Sequence, residues 1–242
     1  MKISLGKAAQ TGFTAKELIV IVSVIALLLT LVVEAVLHSK RVGQRITCAS
    51  NQKQIVLSFK MFAGDCEQIF PVDYFKSRAY RYPSNFNYNR PAWEYFRLAS
   101  NELGTAKILI CPKDVLRRTN AVKVFTNTVD GLAHPSRQNN SISYFLGMSA
   151  QETKPNTLAV GDRNLALDSS TSFYSSPGEV AVDVASNTVW RSSSKEPFHK
   201  DEGFYALSDG SVQRADNARL QEALRLSRQS YGPNANKFLF PQ

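Results

Sequence analysis

Gly12-Phe13-Thr14-Ala15-Lys16-Glu17-Leu18 leads without a break into the aliphatic run IVIVSVIALLLTLVV, which ends at Val33. Only Ser23 and Thr30 interrupt that run, and both hydroxyls can return to carbonyls of their own helix. Leu18 to Leu37 gives 20 residues containing one acid, Glu34. At ~1.5 Å rise per residue this length crosses a ~30 Å hydrocarbon core, so one transmembrane helix is expected. A buried core helix and a cleaved secretory signal peptide are the alternatives. The second fits poorly, because a signal core is usually ~7–15 residues long, and Leu37-His38-Ser39-Lys40-Arg41 offers no small-x-small cleavage site.

The polar residues before the run are its odd feature. A short basic leader, MKISLGKAAQTG, meets Phe13, and Glu17 then sits at the mouth of the apolar helix. An acid at a membrane boundary costs free energy unless paired, which makes it functional by default. A cut between Gly12 and Phe13 would create an α-amino group four residues from Glu17, able to pair with it within one chain or between neighbours.

These residues resemble the start of the type IV pilin and type II secretion pseudopilin superfamily, whose usual pattern is G-F-T-L-[IV]-E-L followed by an aliphatic helix. Gly12, Phe13, Thr14, Glu17 and Leu18 match it; Ala15 and Lys16 stand where two aliphatic residues are usual. The resemblance implies a prepilin peptidase that cleaves after Gly12 and N-methylates Phe13. It also implies an assembly role for Glu17, whose carboxylate would neutralise the terminus of an adjacent subunit as the helices stack. Lys16 places a cation beside Glu17 that could compete for it or snorkel to the interface. The positive-inside count is a draw, with Lys2, Lys7 and Lys16 on one side and Lys40, Arg41 and Arg45 on the other. An N-terminus in the cytoplasm, an inner-membrane helix and a periplasmic head therefore follow from the resemblance alone.

No proline occurs between Met1 and Pro71, and Val42, Ile46, Ala49, Val56, Phe59 and Ala63 form an apolar stripe interrupted by Gln52 and Lys53. One helix of ~50 residues, roughly 75 Å long, is predicted. The organisation expected is a leader over 1–12, a transmembrane or assembly helix over 13–37, its amphipathic continuation over 38–65, and a globular head over 66–242. The fold class is α+β, a long N-terminal helix packed on an antiparallel-sheet head. With 43% hydrophobic and 20% charged residues, the composition excludes collagen-like, coiled-coil and wholly disordered chains. A net charge of +9 favours anionic partners such as DNA or an acidic polysaccharide.

Phe70 to Arg90 reads as an irregular aromatic segment, with Tyr74, Phe75, Tyr80, Tyr82, Phe86 and Tyr88 among basic residues. Packing on the helix and stacking on a ligand are both open to it. A short helix is expected over Pro91 to Ser100, with Gly104 just beyond its end. Strands are expected at Ile142–Leu146, Thr157–Val160 and Val180–Val184, and a final amphipathic helix from Asp216 to Gly232. Gly147-Met148-Ser149-Ala150-Gln151 lacks the second glycine of G-x-S-x-G, so no enzymatic constellation is expected.

Cys48, Cys66 and Cys111 are too few and too scattered for a zinc site judged by spacing. A Cys48–Cys111 bridge would tie head to helix and, closing a loop of about 60 residues, contribute ~4 kcal/mol. A bridge using Cys66, or three thiols, are the alternatives. The segments around Cys48 and around Cys111-Pro112-Lys113-Asp114 resemble elements of large prepilin-type proteins. Phe198-His199, nine residues, then Asp209-Gly210 resembles their C-terminal H-X9-DG signature. Asp209-Gly210 predicts a two-residue hairpin turn. Secretion pseudopilins often bind calcium near the C-terminus, so the resemblance allows Ca2+ at His199, Asp201, Glu202 and Asp209; a hairpin without a metal is the other reading. The partners implied are the peptidase, other pilin or pseudopilin subunits and the inner membrane.

Overall fold

The computed structural model describes residues 12, 14–81, 90–167, 181–191, 198–199 and 201–241. Phe13, the leader before Gly12, the aromatics Tyr82, Phe86 and Tyr88, and the segments 168–180 and 192–197 lie outside them.

Helix α1 runs from Ala15 to Asp65, and its residues fall into two compact units, one ending at Gly43 and one starting at Gln44. In the first unit every residue from Thr14 to Gly43 is exposed. Ser23 donates its hydroxyl to the Val20 carbonyl at 2.8 Å and Thr30 to that of Leu27 at 2.7 Å. Their polar groups are thus satisfied inside the helix, whose apolar part is long enough to cross a membrane.

From Cys48 onward the helix is amphipathic. Cys48, Asn51, Gln52, Ile55, Val56, Phe59, Phe62 and Ala63 are buried at the three-and-four spacing of a single face. This face is rotated from the predicted stripe: Ile46 is 65% exposed, while Gln52 is wholly buried. Gln52 looked like an interruption and is the centre, because the head supplies partners for its amide.

Four shorter helices follow, α2 (Pro71–Arg81), α3 (Ala92–Leu98), α4 (Ser100–Leu103) and α5 (Val115–Arg118). The expected irregular segment after Phe70 is helical through Arg81. Phe70 and Val72 are buried, and Tyr74 and Phe75 meet Phe62 and Tyr95 edge-on with centroids 5.6 and 5.4 Å apart. These aromatics belong to the core. Gly104, at φ 67°, ends α4.

The strands are β1 (Tyr144–Gly147), β2 (Leu158–Asp162), β3 (Leu165–Leu167), β4 (Val182–Asp183), β5 (Thr188–Trp190), β6 (Glu202–Leu207), β7 (Val212–Asp216) and β8 (Lys237–Leu239). Six of them form one antiparallel sheet in the order β4-β8-β1-β2-β6-β7, and β3 pairs with β5. Alternation along the strands divides the core in two. Tyr144, Leu146, Val160, Phe204 and Ala206 pack with the buried face of α1 and with Tyr95 and Phe96 of α3. Phe145, Leu158, Tyr205 and Phe238 pack with Trp190 and with Leu220 and Leu224 of α6 (Asn217–Tyr231). The sheet therefore has a helix on each face, an α+β head in which α1 contributes the larger core.

Candidate functional site

Two places gather the residues singled out by sequence. At the first, α1 begins three residues past Gly12, with Thr14 preceding its first turn. The Thr14 N–H and hydroxyl both donate to Glu17 Oε2, at 2.8 and 2.9 Å, and the Glu17 N–H points back to Thr14 Oγ1 at 3.4 Å. This is a capping box, which satisfies the orphan donors of a helix start reciprocally. The T-x-x-E spacing was its signal in the sequence. Its effect is to start the helix after Gly12, and Glu17 already has partners within its own chain.

The second place lies where α1 meets the sheet. Cys48 of α1 and Cys111, just before α5, form a disulfide with Cα atoms 4.9 Å apart, and Cys66 takes no part in it. One residue further along the buried face, the Asn51 amide donates to the Ile110 carbonyl at 3.1 Å. Gln52 Nε2 donates to Asp162 Oδ1 of β2 at 2.9 Å and to the Phe204 carbonyl of β6 at 3.1 Å. Asp162 Oδ2 accepts the Phe204 N–H at 2.8 Å, so this carboxyl joins α1, β2 and β6. His199, 6% exposed, brings Nε2 to 3.2 Å from Cys111 Sγ and 3.7 Å from Asp162 Oδ2. The rings of Phe198 and Phe204 flank it. Beside the cluster Arg163 grips the buried Asp114 through two hydrogen bonds of 2.9 and 3.2 Å. The C-P-x-D segment thus supplies a bridging cysteine and a buried counter-ion.

Burial sets the charges here. It drives the His199 pKa down to about 4, with Arg45 and Lys113 pushing the same way against Glu202 and Asp114. It lifts the Asp162 carboxyl to about 8, against the hydrogen bonds from Phe204 and Gln52. The 3.7 Å contact between them is consequently no ion pair near neutrality. Cys48, Cys111 and His199 are the group of potential metal donors found among the described residues, with their ligand atoms within 4.8 Å of one another.

His199 and Asp209, joined in one sequence signature, have separate partners. Asp209 Oδ1 accepts the Ser211 N–H at 2.7 Å and so shapes its own turn. That turn is one residue longer than predicted: Leu207 pairs with Ser211 through a 2.9 Å bond, leaving Ser208, Asp209 and Gly210 as the loop. Gly210 takes φ 95°, the left-handed conformation that closes a three-residue hairpin. Glu202 is engaged by Arg214 at 2.7 Å and by Arg45 at 3.5 Å.

No protein-family model, no curated protein and no solved structure matches this chain. Asp162, Gln52 and Asn51 are the members that sequence reasoning missed. Asp162 ends a short apolar strand with nothing to mark it, Gln52 reads as a polar break in a stripe, and Asn51 carries no local signal.

Proposed function

We propose that the protein is a non-enzymatic prepilin-type subunit. It would be held in the inner membrane by the apolar half of α1 until cleavage after Gly12, then incorporated through that helix into a type IV pilus or a secretion pseudopilus. The observation that carries this reading is the exposure of all residues from Thr14 to Gly43 on a helix whose later turns are buried in the head. An apolar surface of that length needs an apolar surround, either lipid or a bundle of like helices. The capping box supports the reading further, since it keeps Gly12 outside the helix, as a peptidase acting there requires. Pairing with the α-amine of a neighbouring Phe13 would draw Glu17 away from Thr14, exchanging a local partner for an intermolecular one.

Intact mass and N-terminal sequencing of protein from native membrane and shear fractions test the first step. A terminus at N-methyl-Phe13 is expected; a Met1 terminus confined to membranes would instead mean a fixed surface anchor. Glu17→Ala should leave the protein membrane-bound and processed but poorly assembled, and normal incorporation of that variant into filaments would overturn the assembly mechanism.

A further inference from the structure

A buried imidazole against a disulfide is an unusual economy. A disulfide sulfur is a weak acceptor, and the ring gains little from it, yet His199 is held there by a backbone at φ 36°, a conformation that costs a non-glycine residue free energy. The position becomes intelligible when the two sulfurs are thiols. We propose that Cys48, Cys111 and His199 bind a thiophilic closed-shell cation, Zn2+, in the dithiol state of the head, with a water as fourth ligand.

The geometry is close to what such a site needs. Zinc–sulfur bonds of about 2.3 Å and zinc–nitrogen bonds of about 2.0–2.1 Å in a tetrahedron give N···S edges of about 3.5 Å and S···S edges of about 3.8 Å. His199 Nε2 is already 3.2 Å from Cys111 Sγ, and the ligand atoms of Cys48, Cys111 and His199 lie within 4.8 Å of one another, so the main change is for the two sulfurs to part. Two thiolates match the two positive charges of Zn2+, so the buried site carries no net charge.

Binding moves no electrons. Two thiols lose their protons to solvent, and Zn2+ takes both sulfurs, so the metal-bound and disulfide states exclude one another. The helix α1 and the turn before α5 would then be fastened by a metal in the dithiol state and by a covalent bond in the disulfide state. Scattered spacing along the chain hides the site, because α1, the turn before α5 and the segment before β6 each contribute one donor.

The test uses the full chain in detergent micelles, refolded without oxygen in the presence of a phosphine reductant and then supplied with Zn2+ or Co2+. One equivalent of zinc by elemental analysis is expected, together with a tetrahedral Co2+ spectrum showing thiolate charge transfer. His199→Gln should weaken binding by more than the ~10–100-fold typical of losing an outer partner, and Cys66→Ser should leave it unchanged. The cobalt spectrum of the unmodified chain reads the ligand set even if the His199 variant folds poorly. Absence of stoichiometric zinc, equal affinity in His199→Gln, or dependence on Cys66 would each overturn the proposal.

Discussion

The two halves of α1 share one backbone geometry and use it in opposite ways. Between Leu18 and Leu37 the helix is aliphatic on all sides and wholly exposed, and its few hydroxyls bond to its own carbonyls. Between Cys48 and Ala63 it is far more polar and much of it is buried, with two amides at the centre of its inner face. Hydrophobicity thus reports the surround a segment needs, while burial in the head depends on whether the sheet offers partners. Gln52 is wholly buried because Asp162 and Phe204 receive it; Leu27 is 63% exposed because no described residue of its own unit covers it.

The largest effect that could break this comparison is a pair of truncations. Phe59 sits in the core against Phe70 and Phe96. Phe59→Ala should cost the head about 3–5 kcal/mol, a range set by lost burial plus the cavity left behind. Leu27→Ala should leave it within about 0.5 kcal/mol of the parent. Denaturant unfolding of the full chain in micelles, followed by tryptophan fluorescence, measures both. Equal losses would mean that the two halves are not energetically distinct.

A second, smaller effect comes from the buried pair. Asp162 titrates near 3.8 unfolded and about 8 folded, so the folded head holds a proton that the unfolded chain has lost. Stability from this group is complete below the lower value and disappears as pH rises through the upper one. His199 works in the opposite sense, from 6.5 down to about 4, so acid removes its contribution. The two slopes cancel between roughly pH 4 and 6.5. From pH 6.5 to 8 only Asp162 remains, and at ~1.4 kcal/mol per pH unit the head should lose about 2 kcal/mol. Asp162→Asn should flatten that window and expose a loss of stability below pH 6.5. Unfolding midpoints at half-unit pH steps check the sign, and a parent curve that rises from pH 6.5 to 8 would refute it.

The smallest effect sharpens the contrast at the surface. Arg214 and Glu202 form a bidentate pair on the β6–β7 ribbon, both partners well exposed. Arg214→Ala should cost under about 1 kcal/mol, read from the same unfolding curves; a loss comparable to that of Phe59→Ala would show the pair to be part of the core.

How much could be read from the sequence follows from how local each signal is. Helix α1, the stop at Gly104 and helix α6 with its Asp216 cap and Gly232 end are written in neighbouring residues, and each appears where its signal lies. The α+β class is legible for the same reason. Short strands β3, β5 and β8 are not, because three residues carry no periodicity and their partners are distant in the chain. The hairpin turn was legible in place but not in length, since Asp-Gly serves both two- and three-residue loops. The buried cluster was the least legible part. Its meaning resides in contacts such as Gln52 with Asp162, 110 residues apart, which no local pattern encodes.

The sheet order has one further consequence. An open sheet ends in two strands with unpaired backbone groups, and such edges invite another copy to add its own strand. Among the described residues β4, two residues long, forms one edge, and β7, with Gln213 and Arg214 exposed along it, forms the other. One edge is too short to serve as a template and the other is too polar. Heads of this kind can be crowded side by side at high local concentration and still remain separate objects, touching through side chains without their sheets merging.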